Sequence, residues 1–193
     1  SINEGETLQY VLDADDIDGD NLIFVGTSDN NSAILINDNQ LIVTPANNFN
    51  GNIEVIVTVY DNGSSDTQTF ILEVLPVNDA PVLEFISEQN VDEDATFSFS
   101  IIATDVDGDV LDYEVSIDGN ADVFLDDNDL TIIPFANFNG EISVAVTITD
   151  GSLIDSQSFI LNVLPVNDPP VLSPIDNQTI DEDELLVYEL DVY

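Results

Sequence analysis

The residues whose types and spacing could do chemistry here are carboxylates. Asp105-Val106-Asp107-Gly108-Asp109 packs three of them into one short string, and Asp16-Ile17-Asp18-Gly19-Asp20 does so earlier in the chain. Single acids stand at Asp61 and Asp150, each just after an apolar stretch. A Glu lies in each of the strings Asn3-Glu4-Gly5, Asp92-Glu93-Asp94 and Asp181-Glu182-Asp183. Asn-Asp pairs occur at Asn78-Asp79 and Asn167-Asp168. Carboxylates, amide oxygens and backbone carbonyls are hard donors, and calcium takes six to eight such oxygens at about 2.3–2.6 Å. Magnesium wants fewer ligands and keeps water. The absence of His and Cys argues against zinc and copper. Taken alone, any Asp-x-Asp-Gly string is equally a solvated turn. The string is not an EF-hand, because no helix flanks it and no Glu closes a twelve-residue loop.

Composition sharpens the point. The 193 residues include 40 Asp and Glu and no Lys, Arg or His, for a formal net charge of −40. No salt bridge between side chains is possible, so the acids must be solvated, protonated or neutralised from outside the chain. Phosphate binding needs Lys or Arg, which argues against nucleic acid as a partner. An anionic membrane surface would repel the chain for the same reason, and no apolar run is long enough for direct membrane insertion. Hydrophobic content of 44% is nevertheless enough for real cores.

The acidic strings are positioned by a repeat. Val77-Asn78-Asp79-Ala80-Pro81-Val82 recurs as Val166-Asn167-Asp168-Pro169-Pro170-Val171, an offset of 89 residues. The same offset carries Asp16, Asp18 and Asp20 onto Asp105, Asp107 and Asp109, and Asn48-Phe49-Asn50-Gly51 onto Asn137-Phe138-Asn139-Gly140. No insertion or deletion is needed. The expected units are 1–80, 81–169 and the first strands of a third at 170–193, cut from a longer array.

Within each unit the period is that of a strand. Ile53, Val55, Val57 and Val59 alternate with other positions, and Ile142, Val144, Val146 and Ile148 repeat them. Roughly seven short strands in about 90 residues predict an all-β fold, an immunoglobulin-like antiparallel sandwich, with units joined end to end. A strand of about seven residues spans about 23 Å, so each strand carries the chain from one end of its sandwich to the other. Taking strands over about 82–90, 95–102, 141–148 and 157–164 places Asp105, Asp107 and Asp150 at the upper end of the second unit. Glu4, Asn50 and Asn78-Asp79 fall at the lower end of the first. Five carboxylates, those of Glu4, Asp79, Asp105, Asp107 and Asp150, then converge on the junction, and such a cluster requires a cation.

The strings Asp105-Val106-Asp107-Gly108-Asp109, Pro134-Phe135-Ala136-Asn137-Phe138-Asn139-Gly140, Val146-Thr147-Ile148-Thr149-Asp150-Gly151 and Val166-Asn167-Asp168-Pro169-Pro170-Val171 together resemble bacterial cadherin-like tandem repeats of large surface proteins and adhesins. The resemblance covers the whole chain. It implies calcium (Ca2+) at the joints between consecutive domains. The implied ligands are Glu4, Glu93 and Glu182 from the first strand region, and Asn78, Asp79, Asn167 and Asp168 from the linkers. Asp105 and Asp107, or Asp16 and Asp18, come from the following domain, with Asp150 or Asp61 after its penultimate strand. The middle Asp-Arg-Glu motif of animal cadherins is replaced by Asn-Phe-Asn-Gly, which implies fewer than three ions per joint. There is no Trp, so strand exchange through an N-terminal Trp is not implied.

The expected function is that of a calcium-rigidified structural segment of an extracellular adhesin or fibre, whose partners are the neighbouring repeats of the same chain. Pro81, Pro169 and Pro170 would hold the linkers extended. The alternative is a calcium-dependent module that binds a cell-surface glycan or a protein, with Tyr60 and Tyr113 as the aromatic candidates. No enzyme is expected, because only carboxylate pairs are present to do acid–base work. Sequons at Asn30, Asn62 and Asn177 do not recur at the repeat offset and read as chance.

Overall fold

The computed structural model describes residues 1–61 and 63–189. Asn62, one of the sequon positions, lies outside the described residues. All regular elements among the described residues are strands. The first unit holds β1 (Ile2–Asn3), β2 (Leu8–Val11), β3 (Ile23–Ser28), β4 (Ser32–Asn37), β5 (Gln40–Pro45), β6 (Gly51–Tyr60) and β7 (Ser65–Leu75). The second holds β8 (Val82–Leu83), β9 (Gln89–Asp92), β10 (Phe97–Ser100), β11 (Ala103–Thr104), β12 (Asp112–Ile117), β13 (Ala121–Asp126), β14 (Asp129–Pro134), β15 (Gly140–Thr149) and β16 (Ile154–Leu164).

Each unit stacks two main sheets, and the second unit adds a two-stranded ladder of β8 and β11. The first has the orders β1-β7-β6-β3 and β2-β5-β4, and the second has β9-β16-β15-β12 and β10-β14-β13. The period-2 alternation decides which side chains meet between them. Ile142, Val144, Val146 and Ile148 of β15 are fully buried, with the intervening positions turned outward. They pack with Ile132, Leu161 and an aromatic cluster of Phe97, Phe99 and Phe159, whose centroids lie 6.2–6.5 Å apart. Each such aliphatic side chain contributes about 1.5–3 kcal/mol through burial. The first unit has the same plan with Leu41, Val43, Ile53 and Val55 at its centre.

The turns are set by the acid and amide residues between strands. Asp38 and Asp127 sit at φ +52° in the β4–β5 and β13–β14 turns. The neighbouring Asn39 and Asn128 donate to the Leu12 and Ile101 carbonyls at 3.2 and 2.9 Å, tying each hairpin to the strand beside it. These acids have a structural role of their own.

The first strand of the second unit differs from expectation. A single strand over about 82–90 is replaced by two pieces. Val82–Leu83 pairs antiparallel with Ala103–Thr104, and Gln89–Asp92 joins the other sheet parallel to β16. A strand that changes sheets must leave one ladder before it enters the next. The crossing is secured by side chains of β16, with the Leu83 and Ile86 N–H groups donating to Asp155 Oδ2 at 2.9 Å and Gln157 Oε1 at 2.6 Å. Residues 165–189 carry no strand.

One strand position differs between the two units in the room it leaves for a side chain. Gly26 in β3 stands where the second unit has Val115. A Cβ at Gly26 would lie 2.9 Å from Ile34 Cγ2 and 3.1 Å from Ile36 Cδ1. Replacing a strand glycine with a β-branched residue gains up to about 1 kcal/mol, whereas overpacking costs about 1–3 kcal/mol. Ile34 is stiff at χ1 and yields poorly. Gly26→Val is therefore expected to lower the melting temperature of the first unit and leave the second unchanged, as followed by differential scanning calorimetry. A rise would show that the Ile34 side chain moves freely.

Candidate metal centre at the junction

The upper end of the second unit is built from three chain segments. In the first, Asp105 Oδ1 accepts the backbone N–H groups of Asp107, Gly108 and Asp109 at 2.9, 3.1 and 3.3 Å. Gly108, at φ +79°, allows the chain to curl around that oxygen. The curl leaves one oxygen each of Asp105, Asp107 and Asp109 within 4.8 Å of one another. Three carboxylates that close repel, and the sequence has no basic side chain to offset them.

The second segment is the linker. The Asp79 N–H donates to Asp107 Oδ2 at 2.8 Å, and Asn78 Nδ2 donates to Asp150 Oδ2 at 2.8 Å. The third is the turn after β15, where Asp150 Oδ1 accepts the Ser152 and Leu153 N–H groups at 2.6 and 2.7 Å. Asn78, Asp79, Asp105, Asp107 and Asp150 are thus joined by the structure at one end of the second unit.

On the first unit's side, Glu4 lies beside the end of β7, its N–H bonded to the Leu75 carbonyl at 2.8 Å and its Oε2 to Asn50 Nδ2 at 3.5 Å. A cleft of about 400 Å³ between the units is lined by Asn48 from the first unit, Asp79 and Ala80 from the linker, and Thr104 and Asp105 from the second. Three carboxylate oxygens at this joint are sealed from solvent and accept no hydrogen bond: Glu4 Oε1, Asp79 Oδ2 and Asp105 Oδ2. Leaving such an atom without a partner costs about 1–3 kcal/mol, more when charged. The three belong to the first unit, the linker and the second unit, and all are hard oxygen donors; the carboxylates whose oxygens all lie within 4.8 Å of one another are Asp105, Asp107 and Asp109.

The remaining sequence-predicted positions are placed as follows. Asp16 Oδ1 accepts the Asp18 and Asp20 N–H groups at 2.9 and 3.0 Å, forming the same curled loop at the upper end of the first unit. Asp61 Oδ1 accepts from Gly63 and Ser64 there. At the lower end of the second unit Glu93 is buried, and its oxygens accept from the Val166 N–H at 2.6 Å and Asn139 Nδ2 at 3.3 Å. Glu93 therefore has both oxygens partnered where Glu4 has one orphaned. Asn167 donates to the Asp168 carbonyl at 3.1 Å, as Asn78 does to Asp79 at 3.2 Å. Glu182 is exposed in a turn closed by Glu184 N–H on the Asp181 carbonyl. Asp109 was not among the expected ligands, although its string was recognised. Its spacing from Asp107 is that of Asp107 from Asp105, and this equal spacing was the available signal. Of the two aromatic candidates, Tyr113 packs against the core and Tyr60 is exposed.

Two loop acids titrate below the ordinary carboxylate value of 3.8. Asp150 is held down by the Leu153 N–H first, then by the Asn78 side chain and the Ser152 N–H. Asp61 is held down by the Gly63 and Ser64 N–H groups. A depressed folded-state pKa contributes stability that is present above the unfolded value and lost as pH falls through the folded one. Carboxyl-carbon NMR titration in chelator is expected to give midpoints below 3.8 for both residues. An ordinary midpoint for Asp150 would mean that the linker does not hold it in solution.

Comparisons with known proteins agree with this architecture. The chain is 26% identical over 167 residues to chitinase A of Pseudoalteromonas piscicida, covering 84% of this chain and 20% of the chitinase. Human protocadherin-24 EC1-2 aligns with a TM-score of 0.50 at 17% identity, over 83% of this chain and 88% of that one, a likeness of fold. An endo-fucoidan hydrolase of glycoside hydrolase family 107 aligns with a TM-score of 0.39 at 18% identity, over 86% of this chain and 27% of the hydrolase. The chain thus spans only a minor part of the two hydrolases. The family model for the bacterial Ig domain matches residues 1–73 and again 78–162. The chain belongs to the bacterial Ig domain family and carries two copies of that domain in tandem.

Proposed function

We propose that the chain is a non-catalytic, calcium-stiffened structural segment of an extracellular protein, with calcium joining consecutive Ig-like domains. The observation that carries this reading is the set of sealed, unpartnered oxygens on Glu4, Asp79 and Asp105. They come from the first domain, the linker and the second domain, so one cation bound by all three fixes one domain to the next. Asp107, Asp150 and Asn78 complete the oxygen-rich surround. The cation would supply charge neutralisation at the joint; the protein's part is to hold the oxygens. Extracellular modules bind calcium in the range of about 0.1–1 mM, which suits the calcium level outside cells. The match to a chitinase of which the chain covers 20% supports an accessory, spacer-like role within a larger protein.

The same match gives some support to a glycan-binding module, with the exposed Tyr60 as its aromatic contact. Retention on chitin that is lost in Tyr60→Ala would favour that reading. The test of the spacer reading is small-angle scattering of the 193-residue chain with millimolar calcium and with chelator. Calcium is expected to narrow the distribution of interdomain angles and lengthen the particle, with magnesium doing much less. Identical profiles would rule the stapled joint out.

A further inference from the structure

The outward face of the first domain's four-stranded sheet is uncharged where the second domain's is acidic. The ladders of β3 with β6 and of β6 with β7 set Ile23, Tyr60 and Ser65 in one row across the three strands. Val25, Thr58 and Thr67 form the next row, and the third has Ile56 between Thr27 and Thr69. Alternation along each strand turns these side chains away from Val55, Val57 and Leu72 in the core. None of them is an acid, in a chain that has 40. Ile23 is 65%, Val25 47% and Tyr60 43% exposed. Acids return at the margins, with Glu54 and Glu73 at one end of the face and the Asp61 turn at the other.

Strand propensity does not account for the apolar residues. The counterparts of Ile23, Val25 and Tyr60 at the repeat offset are Asp112, Glu114 and Thr149, and these make the same ladder between β12 and β15. Both β3 and β12 are edge strands, and charge on an edge strand guards against unwanted pairing. The second domain has that guard and the first lacks it. The core lies on the other side of the sheet, so exposed Ile, Val and Tyr here add nothing to it. Grouped apolar residues on a surface mark a contact with something outside the fold.

The chemistry of the face selects the partner. A second copy of the chain brings another net charge of −40. The three rows, about 7 Å apart along the strands and about 4.8 Å across them, cover only about 300 Å², against about 800 Å² per partner in a specific protein interface. Anionic ligands are repelled by the acids at both margins. A purely apolar ligand leaves the hydroxyls of the Thr and Ser residues without partners. Thr58 and Thr67 hydroxyls bond to one another at 3.0 Å, so the accepting one keeps its hydrogen free to donate outward. Tyr60 adds a flat ring with a polar tip. An uncharged sugar surface matches this mixture, with C–H faces for the ring and the aliphatic side chains and hydroxyls for the threonines. A sheet face is a broad platform, which suits the surface of a polymer better than a single small sugar that needs enclosure.

We infer that the outward face of β3, β6 and β7 is a platform that adsorbs the first domain to a neutral, insoluble polysaccharide. Tyr60 stacks on the sugar rings with Ile23 and Val25 beside it, and the Thr58–Thr67 pair bonds to sugar hydroxyls. The inference rests on the glycan-binding reading of Tyr60, to which it adds the surface and the class of glycan. It does not depend on calcium at the joint. One domain of the two carries the platform, so the chain combines an adsorbing unit with a plain spacer.

Depletion of the full chain from solution by insoluble chitin and by cellulose, in chelator at physiological salt, tests this. Carboxymethyl cellulose serves as the charged control. The parent is expected to bind at least one neutral polymer and to ignore the charged one. The double variant Ile23→Asp, Val25→Glu installs the second domain's residues and should weaken binding at least tenfold, as should Tyr60→Ala. Asp112 and Glu114 sustain the same ladder, so the double variant is expected to melt with the parent. If it melts early, Tyr60→Ala and the shape-conserving Thr58→Val, Thr67→Val carry the test. A parent that binds neither neutral polymer overturns the platform and the glycan reading together. Binding that Tyr60→Ala abolishes but the double variant retains keeps the glycan reading and overturns the platform. Equal binding to carboxymethyl cellulose, or binding unchanged in every variant, overturns the inference, and so does a dimer in sedimentation velocity that the double variant dissolves.

Discussion

Asp105→Asn is expected to melt about 10–20 °C below the parent in calcium and above it in chelator. Asp105 has two oxygens with separate roles. Oδ1 organises the loop by accepting three backbone N–H groups, and Asn keeps an oxygen there. Oδ2 is sealed and unpartnered, and Asn replaces it with a neutral amide group. Calcium at one hundred times its dissociation constant stabilises the folded joint by about 2.7 kcal/mol, and each kcal/mol moves the melting temperature of a domain this size by about 4–8 °C. That stabilisation is lost in the variant. Without calcium the parent bears a buried, unpaired carboxylate oxygen at a cost of about 1–3 kcal/mol, and the variant is relieved of much of it. The two proteins therefore exchange rank between conditions. A variant that melts lower by the same amount in both would confine Asp105 to the loop and leave the cation out.

The second large effect is expected from salt. In chelator, raising sodium chloride from 10 mM to 1 M should raise the melting temperature by about 10 °C, and in calcium by much less. A chain with 40 acids and no basic side chain has only repulsion between its side-chain charges. Oxygens of Asp105, Asp107 and Asp109 lie within 4.8 Å of one another, and each such pair costs about 1 kcal/mol in water. The Debye length shrinks from about 30 Å to about 3 Å over this range, which removes about 2 kcal/mol of the repulsion. Bound calcium neutralises the same charges, so salt has less left to screen. Flat melting in chelator across the series would mean that these acids are already too solvated to repel.

The fold was legible because the apolar alternation and the 89-residue period state the same thing at two scales. Ile142 to Ile148 alternate as a half-buried strand must, and Ile53 to Val59 repeat them, so the sandwich followed from the spacing. The division of the first strand was not legible. Nothing in Glu84-Phe85-Ile86-Ser87-Glu88 marks the place where the chain leaves one sheet, because the crossing is fixed from outside by Asp155 and Gln157. The acids at the joint were named from their loops, and strand counting assigned them to ends. What sequence could not give was which oxygen of each acid the backbone uses and which it leaves free. Glu4 and Glu93 occupy equivalent positions, yet Glu93 accepts from Val166 and Asn139 while Glu4 Oε1 accepts nothing.

Crystals grown in millimolar calcium, with anomalous scattering recorded at long wavelength, test the central claim most directly. A peak is predicted at the joint, about 2.3–2.6 Å from Glu4 Oε1, Asp79 Oδ2 and Asp105 Oδ2. Water or protein donors on those three oxygens, with no peak between the domains, would contradict it.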